Sequence, residues 1–125
     1  MKKPSRTTLR NKLDKIVSLI VRERGHCQRC GKRDNLQCCH IFSRIYNATR
    51  WLLDNLLCLC SACHFFFHKN PILFGEYVRE LLGEERYLLL KESRNRITKY
   101  TTEDLETKYK VLSEMSETLK GGRNV

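Results

Sequence analysis

The chain lacks any apolar run that could cross a membrane. Its longest near the N-terminus, Ile16–Val21, is interrupted by Ser18 and runs into the charged segment RERG, where ~20 apolar residues would be needed. The same run is too short and too quickly charged for a secretory leader, so the expected setting is the cytoplasm. There is no internal repeat and no low-complexity tract. Acidic residues are scarce where basic ones are dense: residues 1–50 hold 3 Asp/Glu against 13 Lys/Arg, whereas residues 51–125 hold 11 of each. The whole net charge of +10 therefore sits in the first part of the chain. Such asymmetry suggests a polyanionic partner, nucleic acid first, with a merely solubilising surface as the alternative. A 125-residue chain favours one domain with one core, and 41% hydrophobic residues argue against global disorder.

Cysteine is what the chain has in excess. Seven thiols without a leader point to a reducing compartment, where they bind metal or pack as small apolar groups; an odd number could not all pair as disulfides. Cys27-x-x-Cys30 and Cys60-x-x-Cys63 are separated by 29 residues. A two-residue gap lets both sulfurs of a tight turn face one point, and two such turns complete a tetrahedral zinc shell. Four thiolates leave no open position, so the site is expected to be structural. Metal binding of about 10–16 kcal/mol would then add to folding. Cys58 and Cys38 read as core.

Residues 1–8 read as a basic arm. From residue 9 to Gly25, Leu13, Ile16, Val17 and Ile20 recur at three- and four-residue spacing among lysines and arginines, predicting an amphipathic helix with a basic outer face. A turn-rich stretch follows, then a short strand over 36–42 and a second β-favouring run over 49–53, which would pair antiparallel. Residues 61–69, SACHFFFHK, read as a helix whose three phenylalanines seat it on the core. Asn70 then caps a helix opened by Pro71 and closed by Gly83. A further helix covers 84–93, and Thr101 with Asp104 marks the start of a last one, with Leu105, Tyr109, Leu112, Met115 and Leu119 at helical spacing. Residues 121–125 read as a tail. The expected organisation is a single α+β domain: a core over 26–69 with a helical extension over 70–120. The last helix either packs on its own domain or serves a homodimer.

Between the cysteine pairs, fourteen residues separate His40 from Asn55 and eight separate Asn55 from His64. This His…Asn…His order, interleaved with the two CxxC pairs, resembles the HNH endonucleases over residues 27–68. CHIFSR…TRWLLDNLLCLCSACH, with EYVRELLGEERYLLLKESRNRITKYTTEDLETKYKVL beyond it, is similar to the phage NinG (Rap) recombination endonucleases. The resemblance implies a zinc-stapled ββα-metal finger. It also implies a metal-dependent DNA endonuclease acting on branched recombination intermediates, Holliday-junction or flap-like, in a host cytoplasm. It makes His40 the general base, Asn55 the residue that holds the finger loop in register, and His64 a ligand of a catalytic ion.

The residue types suit that chemistry. A neutral imidazole can deprotonate water near pH 7, and a divalent ion can stabilise the phosphate and protonate the leaving group. His68, four residues after His64, shares its helix face and reads either as a second ligand or as a surface residue. Many HNH sequences carry an acid or a histidine immediately before the first His; here Cys39 stands there. Cys39 either ligates a soft ion or packs, and strand alternation would turn it away from His40. The ion is Mg²⁺ or Mn²⁺, with Ni²⁺ and Zn²⁺ as alternatives. Arg44 and Arg50 flank the loop as phosphate clamps or as solvated loop residues. Lys12, Lys15, Arg22, Lys32 and Arg33 are further candidate contacts to double-stranded or branched DNA. Packaging-type or restriction-type nicking is one rival role, and a non-catalytic zinc-dependent DNA-binding accessory is another.

Overall fold

A computed structural model describes residues 3–123; Met1 and Lys2 of the expected arm, and Asn124 and Val125 of the expected tail, lie outside the described residues. Helix α1 spans Arg6–Arg22, starting three residues before the expected Leu9. Ser5 sets that start: its hydroxyl accepts the Thr8 N–H at 3.1 Å, satisfying one of the orphan donors of the first turn. Arg6–Thr8 thus belong to the helix and not to an arm. Leu9, Leu13, Ile16, Val17, Ile20 and Val21 are all buried on one face, each burial contributing about 1.5–3 kcal/mol. Gly25, with φ of 86° just past the helix, takes a conformation that β-carbon-bearing residues resist.

The sheet is a two-stranded antiparallel pair, β1 Leu36–His40 and β2 Leu56–Cys60, with Leu36 opposite Cys60 and His40 opposite Leu56. The second strand therefore lies seven residues beyond the expected 49–53 run. Within that run Thr49 and Arg50 close a short helix, α2 Asn47–Arg50, and Leu53–Asn55 form a 3₁₀ turn. Trp51 is drawn out of any strand into the core under α1. All five β2 residues are buried, so the strand has no alternating polar face to betray it. Past His40 the Ile41 N–H still reaches the Asn55 carbonyl at 2.8 Å, but the Phe42 N–H goes to the Asn55 side chain at 2.8 Å, and the ladder ends there.

Each face of the sheet carries its own core. Leu56 and Cys58 meet the apolar face of α1, together with Leu105 and Leu112 of α6, Thr102–Arg123. Leu57, Leu59 and Cys39 meet Phe67 of α3, Ser61–Lys69, and Val78 of α4, Pro71–Leu82. Helix α5, Glu84–Arg94, packs beside α4 and α2. The bounds of α3 match the sequence expectation. Pro71 opens α4 and Asn70 holds its N-cap position as expected, its carbonyl accepting the Phe74 N–H at 3.0 Å, but its side-chain amide turns back and donates to the Phe66 carbonyl at 2.8 Å. Thr101 and Asp104 exchange side-chain and backbone bonds at 2.9 and 3.1 Å, a reciprocal cap at the head of α6. α6 continues through Gly121 and Gly122 to Arg123, although each glycine costs ~1 kcal/mol within a helix.

α1 and α6 run parallel: Arg6 donates to the Tyr100 carbonyl near both N-termini, and Lys12 lies 5.5 Å over the Tyr109 ring further along. Over the described residues the protein is thus a mixed α+β structure with six α-helices around one hairpin. Among the described residues, no helix is long and apolar enough to cross a membrane.

Candidate functional site

The sulfurs of Cys27, Cys30, Cys60 and Cys63 all lie within 4.8 Å of one another. Two turns bring them there. The Cys27 N–H donates to the Lys32 carbonyl at 2.7 Å and the Gly31 N–H to the Cys27 carbonyl at 2.9 Å, curling the first pair around Gly31, whose φ is 81°. Gln28 docks this turn on β2 by bonding both the N–H and the carbonyl of Cys58, at 2.7 and 2.8 Å. The second pair spans the junction of β2 and α3. The Cys30 and Cys60 sulfurs are 3.7 Å apart, close to the ~3.8 Å edge of a tetrahedron with 2.3 Å zinc–sulfur bonds. The four thiols are a group that could hold a metal ion such as zinc.

Electrostatics around the thiols divide them. Burial works to raise the Cys27 thiol, but backbone N–H groups of Cys30, Cys60 and Arg29 aimed at its sulfur hold it down at about 6. Burial, with the neighbouring sulfurs, pushes Cys63 up to about 12. The Arg29 guanidinium offsets some of this: it donates to the Cys63 sulfur at 3.6 Å and stacks over Phe66 and Phe67 at 4.3 and 4.9 Å. Arg29 did not stand out in the sequence, because its partners are 34 or more residues away.

A second site begins at the far end of β1: His40 lines one open pocket of about 590 Å³ with His64 and His68 of α3 and with Asp14, Ser18, Cys38, Ser43 and Arg44. His40 Nε2 lies 3.0 Å from the Arg50 carbonyl. A carbonyl only accepts, so Nε2 carries the hydrogen and Nδ1 of the neutral ring is left with its lone pair. Burial lowers the pKa of His40 despite that bond, favouring the neutral ring that can accept a proton. His64 Nδ1 donates to Gln37 Oε1 at 2.7 Å, which leaves Nε2 free as a ligand atom. Burial and the neighbouring His68 lower its pKa too. The three imidazoles do not converge as the thiols do. Among the described residues, the cysteines alone bring three or more metal-ligating groups within 4.8 Å.

Cys39 is absent from this pocket. It is buried on the opposite face with Leu57 and Phe67, where burial raises its thiol to about 12. Strand alternation brings Cys38 to the pocket in its place, half-buried and raised by burial to about 11. Asn55 is fully buried. Its Oδ1 accepts the Phe42 N–H, and its Nδ2 donates to the carbonyls of Phe42 and Thr49 at 3.0 and 3.1 Å. One side chain thereby pins both ends of the loop between His40 and Arg50.

No protein-family model, curated protein or solved structure matches the chain.

Asp14, the one acid of α1, is the residue that sequence reasoning missed. Arg50 donates to both its carboxylate oxygens, at 3.0 and 2.6 Å, and the Trp51 indole N–H adds a third bond at 2.8 Å. Burial opposes ionisation of Asp14, yet these donors hold its carboxyl below the usual range. Arg50 is consequently mostly buried against Asp14, whereas Arg44 reaches the same carboxylate only at 3.7 Å and its side chain stays 61% exposed. Lys15 and Arg22 share with Asp14 and Ser18 a shallow groove adjoining the histidine pocket. Lys12 lies against α6 by way of Tyr109, and Lys32 and Arg33 are exposed on the thiol turn.

Proposed function

We propose that the chain is a metal-dependent DNA endonuclease of the HNH type, hydrolysing phosphodiester bonds on a ββα finger stapled by zinc at Cys27, Cys30, Cys60 and Cys63. The observation that carries the reading is that His40, from the end of β1, lines the same open pocket as His64 and His68, from α3. In this reading His40 Nδ1 takes a proton from the attacking water, and Asn55 keeps the loop that holds His40 in place. A divalent ion at His64 and His68, Mg²⁺ or Mn²⁺ before Ni²⁺ or Zn²⁺, would supply Lewis-acid stabilisation of the phosphate and leaving group. Arg44, Lys15 and Arg22 offer the backbone contacts that position duplex without reading its sequence. Branched recombination DNA as substrate rests on the resemblance to the NinG family. Paired cuts across a junction would need a second copy, for which Val111, Met115 and Leu119, exposed along α6, supply a face.

A second reading is a non-catalytic DNA-binding accessory. Two observations favour it: Cys39 turns away from the pocket, and the histidines gather no third ligand within 4.8 Å. A supercoiled-plasmid nicking assay with Mg²⁺, Mn²⁺, Ni²⁺ or EDTA separates the two. Under the nuclease reading His40→Ala slows nicking by ~10²–10⁴-fold with DNA affinity kept. The rate also climbs with pH to a plateau whose midpoint lies below the ordinary histidine value of ~6.5, since only the neutral ring accepts the proton. DNA binding without nicking under every metal would leave the accessory reading standing.

A further inference from the structure

The three phenylalanines of α3 are not equivalent. Phe67 is buried in the core and Phe66 is half-buried, but Phe65 is 61% exposed. Phe65 lines an opening of about 700 Å³ together with Gln37, Ser61, Ala62, His64 and His68. His64 and His68 also line the histidine pocket, so the two spaces adjoin at these side chains. No carboxylate lines the opening around Phe65, and the Lys69 ammonium sits 4.8 Å over its ring. A phenyl group left in water beside cationic and imidazole side chains suits a ligand that is flat, apolar on its face and negatively charged at its edge.

We propose that Phe65 is a stacking platform for an unpaired nucleobase, seating that nucleotide next to the phosphate in the histidine pocket. The inference rests on the nuclease reading for its choice of DNA and deepens it by naming the substrate class: DNA with an unpaired nucleotide beside the cut. In continuous duplex both faces of each base are covered by its neighbours, whereas at a gap, flap or branch point a face is free. An aromatic ring stacks on any base, because every base has a π-face. Lys69 then stands beside the flanking phosphate, and the Gln37 amide, with its oxygen held by His64, keeps its N–H donors for the base edge.

The test compares wild type, Phe65→Ala and Phe65→Tyr, all zinc-loaded and without added Mg²⁺ or Mn²⁺. The probes are a gapped duplex with 2-aminopurine as its single unpaired base, and the same sequence fully paired. Wild type should bind the gapped probe more tightly and quench its fluorescence. Phe65→Ala should lose ~5- to 100-fold in affinity for that probe with less than a twofold change on paired duplex, and Phe65→Tyr should restore both affinity and quenching. Equal affinities of wild type and Phe65→Ala for the gapped probe, or equal losses on both probes, would overturn the platform. Plasmid nicking by wild type together with such indifference would defeat the platform and spare the nuclease. Phe65-dependent quenching without nicking would do the reverse.

Discussion

Four sulfurs lie within 4.8 Å of one another where the Cys27 turn meets the start of α3, whereas three imidazoles line an open pocket of about 590 Å³ without meeting. The thiol end is built from local structure, a tight turn curled around Gly31 and the junction of β2 with α3. The histidine end is built from a strand terminus, a long loop and a helix face, and its donors are oriented one at a time by Gln37 and the Arg50 carbonyl. A closed set of donors serves structure, because it leaves nothing for a substrate to bind. Under the proposed reading an open set would serve chemistry, because the last places in the shell of an ion held there would be left for water and phosphate. The two ends differ in what completes them.

The hardest test of this contrast removes one thiol. Cys27→Ser should abolish tight zinc binding, seen as loss of the single metal equivalent by elemental analysis, and with it the cooperative unfolding transition. The histidine end should be lost as well, since its loop is strung between the two thiol turns. Retention of a cooperative transition would mean that the ends are independent. Asn55→Ala should act on one end only: three buried bonds go, lowering stability by about 2–4 kcal/mol in urea unfolding, while the metal content stays at one equivalent. Loss of metal in that variant would show the contrast to be drawn too sharply.

Asp14→Asn should be the mildest, costing about 1–2 kcal/mol at pH 7 through a weakened Arg50–Trp51 anchor. Because the Asp14 carboxyl titrates lower in the folded protein than in the unfolded chain, its contribution is complete at neutral pH and fades as pH falls. The gap between wild type and variant should therefore start to close below about pH 5. A gap that widened on acidification would contradict the ion pair.

Much of the scaffold was legible because its signals are local. The two CxxC pairs, the limits of α3, Pro71 at the start of α4 and the Thr101–Asp104 cap each need only a few neighbouring residues. The second strand was misplaced because LLCLC, buried on both faces, has no alternation, while Thr49 and Trp51 carry β-favouring side chains that tertiary packing puts to other uses. Asp14 was invisible for a different reason. On α1 it looks like one solvated acid among lysines, and its partners Arg50 and Trp51 lie 36 and 37 residues further on. The exposure of Phe65 was hidden by its neighbours, since a run of three phenylalanines reads as core until the helix phase is known. Strand alternation did foresee that Cys39 would face away from His40, and Cys38 arrived in the pocket by the same rule.

The parallel packing of α1 on α6 sets an order on the chain's assembly. Leu9, Leu13 and Ile16 bury their side chains against Leu105 and Leu112, almost a hundred residues later. As the chain leaves the ribosome, the thiol turns and the hairpin between them can close as soon as residue 63 is out. The apolar face of α1 must wait for the last helix. Until then the most basic helix of the molecule keeps apolar side chains uncovered, and the hairpin it rests on is finished first.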